Sequence, residues 1–84
     1  MDIEEVEKAL IKFLVDNILG EGVTISSDSS LAEIGVDSYS IVEILLFIER
    51  KYGFVIPDDH LKPENFKNVN SIAKTVMEVS KHVD

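Results

Sequence analysis

The 84-residue sequence contains no cysteine, so it offers neither a disulfide nor a thiolate metal site. Basic residues are scarce: eight Lys and Arg stand against sixteen Asp and Glu, which gives a formal net charge of −8. A negative surface repels nucleic acid and anionic membranes. We therefore expect no nucleic-acid binding. Partners should carry basic patches, unless the acidic surface serves solubility alone.

Long apolar runs are also missing. None approaches the roughly 20 residues that span a bilayer, and residues 1–5 are acidic, unlike the basic start of a signal peptide. We therefore expect a soluble, cytoplasmic protein without membrane insertion. A chain this short buries only about 60–65% of its unfolded surface. It favours one domain over residues 1–84 and leaves no room for a deep active site.

The spacing of hydrophobic residues predicts an all-α fold. A first amphipathic helix over 2–19 has Asp2 as its N-cap, and Gly20 stops it. A long loop over 20–37 follows, and a second helix begins at Asp37 or Ser38 and runs to residue 52. The extended segment 54–56 turns one isoleucine inward.

A short helix is predicted over 63–66, and a last helix from about Ser71 to His82, capped by Asn70 or Ser71. The predicted architecture is therefore a four-helix bundle of three main helices and one short helix. Its most irregular part is the long loop between helices 1 and 2, and loops of that length are usually functional or held by their own side chains.

The second helix is apolar on two sides. One strip is sufficient for the core and comprises Ile41, Ile44, Leu45, Ile48 and Tyr52. A second strip, Tyr39, Val42 and Leu46, lies off this core side. An exposed apolar strip commonly marks a contact surface. The alternative is that a neighbouring loop covers it.

Residues suited to catalysis are not grouped in the sequence. His60 and His82 lie far apart, and no acidic residue completes a zinc site at helical spacing. No pattern places a histidine beside a serine nucleophile. The segment around Asp28 lacks the regular acidic positions of a calcium loop, and no Gly-rich phosphate loop occurs. We therefore expect a protein that is not an enzyme and holds no metal.

Asp37 and Ser38 stand at the predicted start of the second helix. A hydroxyl on the first helical turn is exposed, and a phosphate placed on it would meet the positive end of the helix dipole. Asp37 would lie beside it as a ligand for a metal ion that accompanies phosphoryl transfer. Taken alone, the pair indicates only the ordinary cap of a helix, because Asp-Ser begins many helices.

The surrounding sequence closely resembles the attachment motif of acyl and peptidyl carrier proteins. The motif is Gly-Val-Asp-Ser-Tyr-Ser-Ile-Val-Glu over 35–43. A short leucine-containing turn over 30–35 precedes it, as in that family. The helix after it ends in Tyr-Gly-Phe over 52–54, and Ile-Pro-Asp-Asp follows over 56–59. The resemblance covers essentially the whole chain.

The resemblance implies that Ser38 carries a 4′-phosphopantetheine arm. In the family a separate phosphopantetheinyl transferase, using magnesium, moves this group from coenzyme A onto the serine, and Asp37 matches the acidic neighbour that the transferase requires. The terminal thiol of the arm then holds acyl or aminoacyl cargo as a thioester. This explains why the chain needs no cysteine of its own.

The resemblance also implies contacts with partner enzymes and with cargo. The partners are the transferase and the acyl- or aminoacyl-loading and condensing enzymes, and a monomer is expected. Five positions match the helix face that partners recognise: Tyr39, Val42, Glu43, Leu46 and Glu49. Two others, Ile41 and Ile56, match positions near the cleft where some carriers shelter an acyl chain.

Departures from the family pattern concentrate on the second helix. Tyr39 stands where leucine or methionine is common. Ser40, Arg50 and Lys51 stand where carriers of fatty acid synthesis usually have acidic residues. Salt-bridge docking should therefore be weaker and apolar contacts more important.

The segment 61–66 resembles stand-alone carriers of specialised pathways. Polyketide, non-ribosomal peptide or aminoacyl transfer is therefore favoured. The alternatives are a housekeeping carrier of fatty acid synthesis and a helical interaction module that never receives the arm.

Overall fold

The computed structural model describes residues 2–82, and within them the fold is all-helical with no strand. Three α-helices form the frame: α1 over Ile3–Leu14, α2 over Ser38–Tyr52 and α3 over Val69–Ser80. A π-helical turn over Val15–Leu19 continues α1. Two 3-10 helices, Asp58–His60 and Pro63–Phe66, lie between α2 and α3. The predicted fold class and the short helix at 63–66 are confirmed, whereas the turn at Asp58–His60 was not predicted.

Both ends of α2 are set by local hydrogen bonds. The Asp37 carboxylate accepts from the Ser40 backbone N–H at 2.9 Å, as expected of an N-cap. Gly53 ends the helix with a φ of 80°, and its N–H donates to the Glu49 carbonyl at 2.9 Å. A positive φ is readily available only to glycine. The predicted bounds of this helix are therefore correct.

The last turn of the first helical segment differs from the prediction of a uniform α-helix to residue 19. The Gly20 N–H donates to the Val15 carbonyl at 3.0 Å, five residues back. The Asn17 side chain donates to the Phe13 carbonyl at 3.1 Å. An asparagine side chain that takes a backbone carbonyl competes with the α-helical ladder, and the turn widens.

The predicted start of the last helix is wrong by two residues. Asn68 is the N-cap of α3, because its side chain accepts from the Ser71 N–H at 2.8 Å. Asn70, one of the two caps predicted, instead donates to Glu7 on α1 at 2.9 Å. The helix also ends earlier than predicted, at Ser80, and residues 81–82 form a turn.

A single hydrophobic cluster joins the three helices, with α1 packed mainly on α3. On α2 Ile44 and Ile48 are fully buried, and the other residues of the predicted core strip are partly buried and pack against the same cluster: Ile41, Leu45 and Tyr52. The connecting segments contribute Leu31, Val36 and Ile56 to the core. The buried hydrophobic residues of the helices are Val6, Leu10, Leu14, Ile44, Ile48, Val69, Ile72, Ala73, Val76 and Val79. Within residues 2–82, no helix has the length and apolar character needed to cross a membrane.

The long loop after α1 is fixed to this core just before α2. Leu31 is 1% exposed, and its N–H donates to the Lys67 carbonyl at 3.0 Å. The Val36 N–H in turn donates to the Leu31 carbonyl at 2.9 Å. These bonds hold the turn over 31–35 against the segment that precedes α3. They therefore fix the direction from which the chain enters α2.

Candidate functional site

Ser38 is the first residue of α2 and its side chain is exposed. Asp37 precedes it in extended backbone and is exposed as well. The Ser40 backbone N–H, followed by the Ser40 hydroxyl, lowers the pKa of the Asp37 carboxyl below its ordinary value, since both donate to the charged form. A serine hydroxyl and an ionised carboxylate therefore stand side by side in solvent at neutral pH.

The start of α2 suits a phosphorylated or phosphodiester-linked serine. The free N–H groups of a first helical turn carry positive partial charge, which favours an anion nearby. Asp37 already occupies the Ser40 N–H, so an anionic group on Ser38 would lie next to a second negative charge. Two neighbouring anionic oxygen donors are the ligands that Mg²⁺ prefers.

Ser38 opens onto a shallow cleft of about 350 Å³. Its lining residues come from the turn before α2, the start of α2 and the 3-10 helix before α3: Ser30, Leu31, Ala32, Val36, Asp37, Ser38, Ile41, Pro63, Phe66 and Lys67. Ile41 lines this cleft together with Ser38. Ile56 packs in the core and is not one of the lining residues. That these two residues lie near a cleft for an acyl chain stays a prediction.

Three residues of the cleft were missed by the sequence analysis. Pro63, Phe66 and Lys67 follow Ser38 by more than twenty positions. No periodicity or motif joins them to Ser38. The 3.0 Å hydrogen bond from Leu31 to the Lys67 carbonyl brings the two segments together. A contact of this range leaves no local sequence signal.

The second apolar strip of α2 is exposed, as predicted. Tyr39 is 73% exposed, Val42 53% and Leu46 47%. The alternative that a loop covers this strip is therefore wrong for the chain over residues 2–82. Of the two acidic neighbours, Glu49 is exposed and Glu43 half-buried. The recognition of these five residues by partners stays a prediction.

Residues 2–82 contain no group of three or more His, Cys, Asp or Glu side chains placed to hold a metal ion. His60 lies in a 3-10 turn, where its carbonyl accepts a hydrogen bond from the Asn65 side chain at 2.7 Å.

Comparison with known proteins places this geometry in a family. Residues 9–76 match the family described as "Phosphopantetheine attachment site". The chain is 35% identical over 81 residues to an acyl carrier protein of Rickettsia bellii, which covers 95% of this chain and 88% of the relative. It is 30% identical over 76 residues to aminoacyl carrier protein 1 of Bradyrhizobium diazoefficiens, covering 87% and 83%.

A solved structure has the same fold. It is the crystal structure of Bradyrhizobium japonicum glycine:[carrier protein] ligase complexed with its cognate carrier protein and an analogue of glycyl adenylate. The match has a TM-score of 0.72 and 26% identity over 90% of this chain and 96% of the matched chain.

This chain belongs to the phosphopantetheine-binding carrier protein family. Members of that family are generally carriers of bound intermediates and not catalysts.

The residues around Ser38 fit the prosthetic group of the family, 4′-phosphopantetheine. The hydroxyl is exposed at the rim of an open cleft. The Asp37 carboxylate accepts its hydrogen bond from the Ser40 N–H and not from the Ser38 hydroxyl. When attached, the group supplies a flexible arm that ends in a thiol. The protein contributes a rigid start of helix from which the arm can extend.

Proposed function

We propose that Ser38 is the residue that receives the 4′-phosphopantetheine arm. A phosphopantetheinyl transferase with magnesium is the proposed donor enzyme. Ser38 Oγ attacks phosphorus and gives up its proton, the phosphoanhydride bond of coenzyme A breaks, and the nucleotide portion leaves. We expect the Asp37 carboxylate, whose pKa is lowered by its hydrogen bonds at the helix start, to share the metal ion. The observation that carries the proposal is this exposed Asp37–Ser38 pair within the attachment motif.

The proposed cargo is an aminoacyl group, held as a thioester and presented to partner enzymes. The support is similarity to aminoacyl carrier protein 1 and to the structure of a glycine ligase with its carrier. On α2 itself, Glu43 and Glu49 are balanced by Arg50 and Lys51, so the helix is neutral. A neutral helix disfavours docking that depends on several salt bridges.

A second candidate is a carrier of fatty acid synthesis. It is favoured by the 35% identity to an acyl carrier protein over 95% of the chain. Cargo identity distinguishes the two. The protein should be isolated from its own cells and the thioester released with hydroxylamine for mass spectrometry. An amino acid derivative supports the aminoacyl proposal, whereas long saturated acyl chains would contradict it.

Attachment is tested by intact mass. The purified chain is incubated with coenzyme A, magnesium and a broad-specificity phosphopantetheinyl transferase. One phosphopantetheine should be gained by the wild type and by Ser40→Ala, and none by Ser38→Ala. Ser40 is the matched control because it is a second serine on the same turn. An equal gain in Ser38→Ala would place the arm elsewhere. No gain with several transferases would favour an unmodified interaction module.

Three further properties belong to the same proposal. Residues 1–84 act as one carrier domain, the protein is a monomer, and it works in the cytoplasm with loading and condensing enzymes. Light scattering at micromolar concentration tests whether the protein is a monomer. Fractionation of its own cells tests whether it lies in the cytoplasm. A stable dimer or a membrane-bound pool would contradict these two points.

A further inference from the structure

A second surface lies beside the strip of α2, in the groove between α1 and α2. It begins at Tyr39 and Leu46 and reaches α1 at Phe13 and Asn17. The rings of Phe13 and Phe47 line it, stacked with centroids 4.5 Å apart and an interplanar angle of 21°. Both rings are only partly buried. The groove therefore presents aromatic surface that residues 2–82 do not cover.

Two cations, Arg50 and Lys51, line the same groove. Within residues 2–82 the one ion pair closer than 4.0 Å joins Lys12 to Asp16, so neither groove cation is paired with an acid of that range. Lys51 Nζ lies 5.8 Å from the centroid of the Tyr52 ring, a contact that leaves its charge uncompensated. Among the described residues these cations lack an ion-pair partner, although acids outnumber bases two to one in the sequence.

The groove differs in charge from the rest of the molecule. Its charged lining residues at the α2 side are Glu43, Arg50 and Lys51, a net +1 in a chain of −8. Further along, Lys12 and Asp16 line its continuation and neutralise each other. A ligand with carboxylates is therefore attracted here and repelled over most of the remaining surface.

We propose that this groove binds a segment of a partner protein in which an apolar side chain is flanked by carboxylates. The apolar side chain packs on Phe13 and Phe47, and the carboxylates pair with Arg50 and Lys51. A basic segment would meet repulsion at the same place. The proposal rests on the proposed function only in that partners approach along α2. The proposal adds a contact with α1 to the surface that partners use. It also gives the partner an acidic segment, whereas the net charge of this chain alone predicts partners with basic patches.

Peptide titration followed by NMR tests the groove directly. The full-length ¹⁵N-labelled chain is titrated at low salt with the capped tetrapeptide Asp-Leu-Phe-Asp. Two matched peptides carry Asn or Lys in place of both aspartates. The acidic peptide should shift the amide resonances of Phe13, Leu46, Phe47 and Arg50. The affinity of the acidic peptide should be at least roughly three times that of the Asn peptide, as two exposed ion pairs would give. The Lys peptide should bind most weakly.

Two double variants separate local from general charge effects. R50Q/K51Q should abolish the preference for the acidic peptide. K62Q/K74Q removes the same charge from two exposed lysines outside the groove and should keep the preference. Equal affinity for all three peptides, shifts that map elsewhere, or the same loss in both variants would overturn the proposal.

The two proposals fail separately. R50Q/K51Q should still gain the arm at Ser38 in the mass experiment, since neither residue lies at the attachment cleft. A chain that never accepts the arm can still show the peptide preference, because the titration does not require the arm.

Discussion

Leu31 should be the most sensitive residue of the loop that leads into the attachment site. Its side chain is 1% exposed, and its backbone bonds to Lys67 and Val36 hold the turn in place. Leu→Ala in a core costs about 2–5 kcal/mol, least where the surroundings can relax. Because Leu31 lies on a loop, we expect Leu31→Ala to lose about 2–3 kcal/mol. The whole free energy of unfolding of an 84-residue domain is roughly 4–13 kcal/mol.

Urea unfolding followed by far-UV circular dichroism measures this loss. At about 4–8 °C per kcal/mol, the melting temperature should fall by roughly 10–20 °C. The control is Val23→Ala in the same loop, where the side chain is 38% exposed and the change should stay within about 0.5 kcal/mol. The urea m-value should not change. A loss below about 1 kcal/mol, or one equal to that of the control, would refute the idea that Leu31 anchors the loop.

Three other predictions concern charge. The lowered pKa of Asp37 contributes folding stability that is present above the ordinary pKa of an aspartate and is lost as pH falls through the pKa of the folded state. Asp37→Asn keeps a capping side chain and should flatten the dependence of stability on pH below about pH 4. The same dependence as in the wild type at acidic pH would contradict this. Burial, and then the charge of Glu5, raise the pKa of Tyr52. The stability that this raised pKa contributes is therefore complete below about pH 10 and is lost as pH rises through the pKa of the folded state. Tyr52→Phe should remove that alkaline loss, and the part of the phenolate absorbance that this substitution removes should appear only above the ordinary range. At a net charge of −8, sodium chloride or divalent cations should raise the melting temperature, and a flat or falling midpoint across the titration would argue against self-repulsion.

The elements that the sequence predicts well are those fixed by neighbouring residues. Asp37 caps the N–H three residues on, and Gly53 takes the positive φ that ends α2. Both interactions need only a few consecutive residues, so they can be read from the sequence without the fold. The exposed strip of α2 was predictable for a similar reason, because helical spacing alone separates it from the core side.

The errors occur where two local solutions compete. Asn68 and Asn70 are both acceptable caps for α3, and the sequence does not rank them. The fold uses Asn70 for a 2.9 Å contact with Glu7 on α1, which leaves Asn68 to cap the helix. The π-helical turn after α1 has a comparable origin, since Asn17 can bond either to solvent or to the Phe13 carbonyl.

The sequence by itself determined that α2 begins at Asp37 or Ser38 and that a second apolar strip lies off its core side. Its motif also determined the carrier family. Only the tertiary structure decided that Ser38 shares a cleft with Phe66 and Lys67, and that Phe13 joins Phe47 beside two cations without ion-pair partners. The physical reason is range. A cap and a helical strip depend on residues within one or two turns, whereas a cleft or groove forms only when distant segments pack on one core.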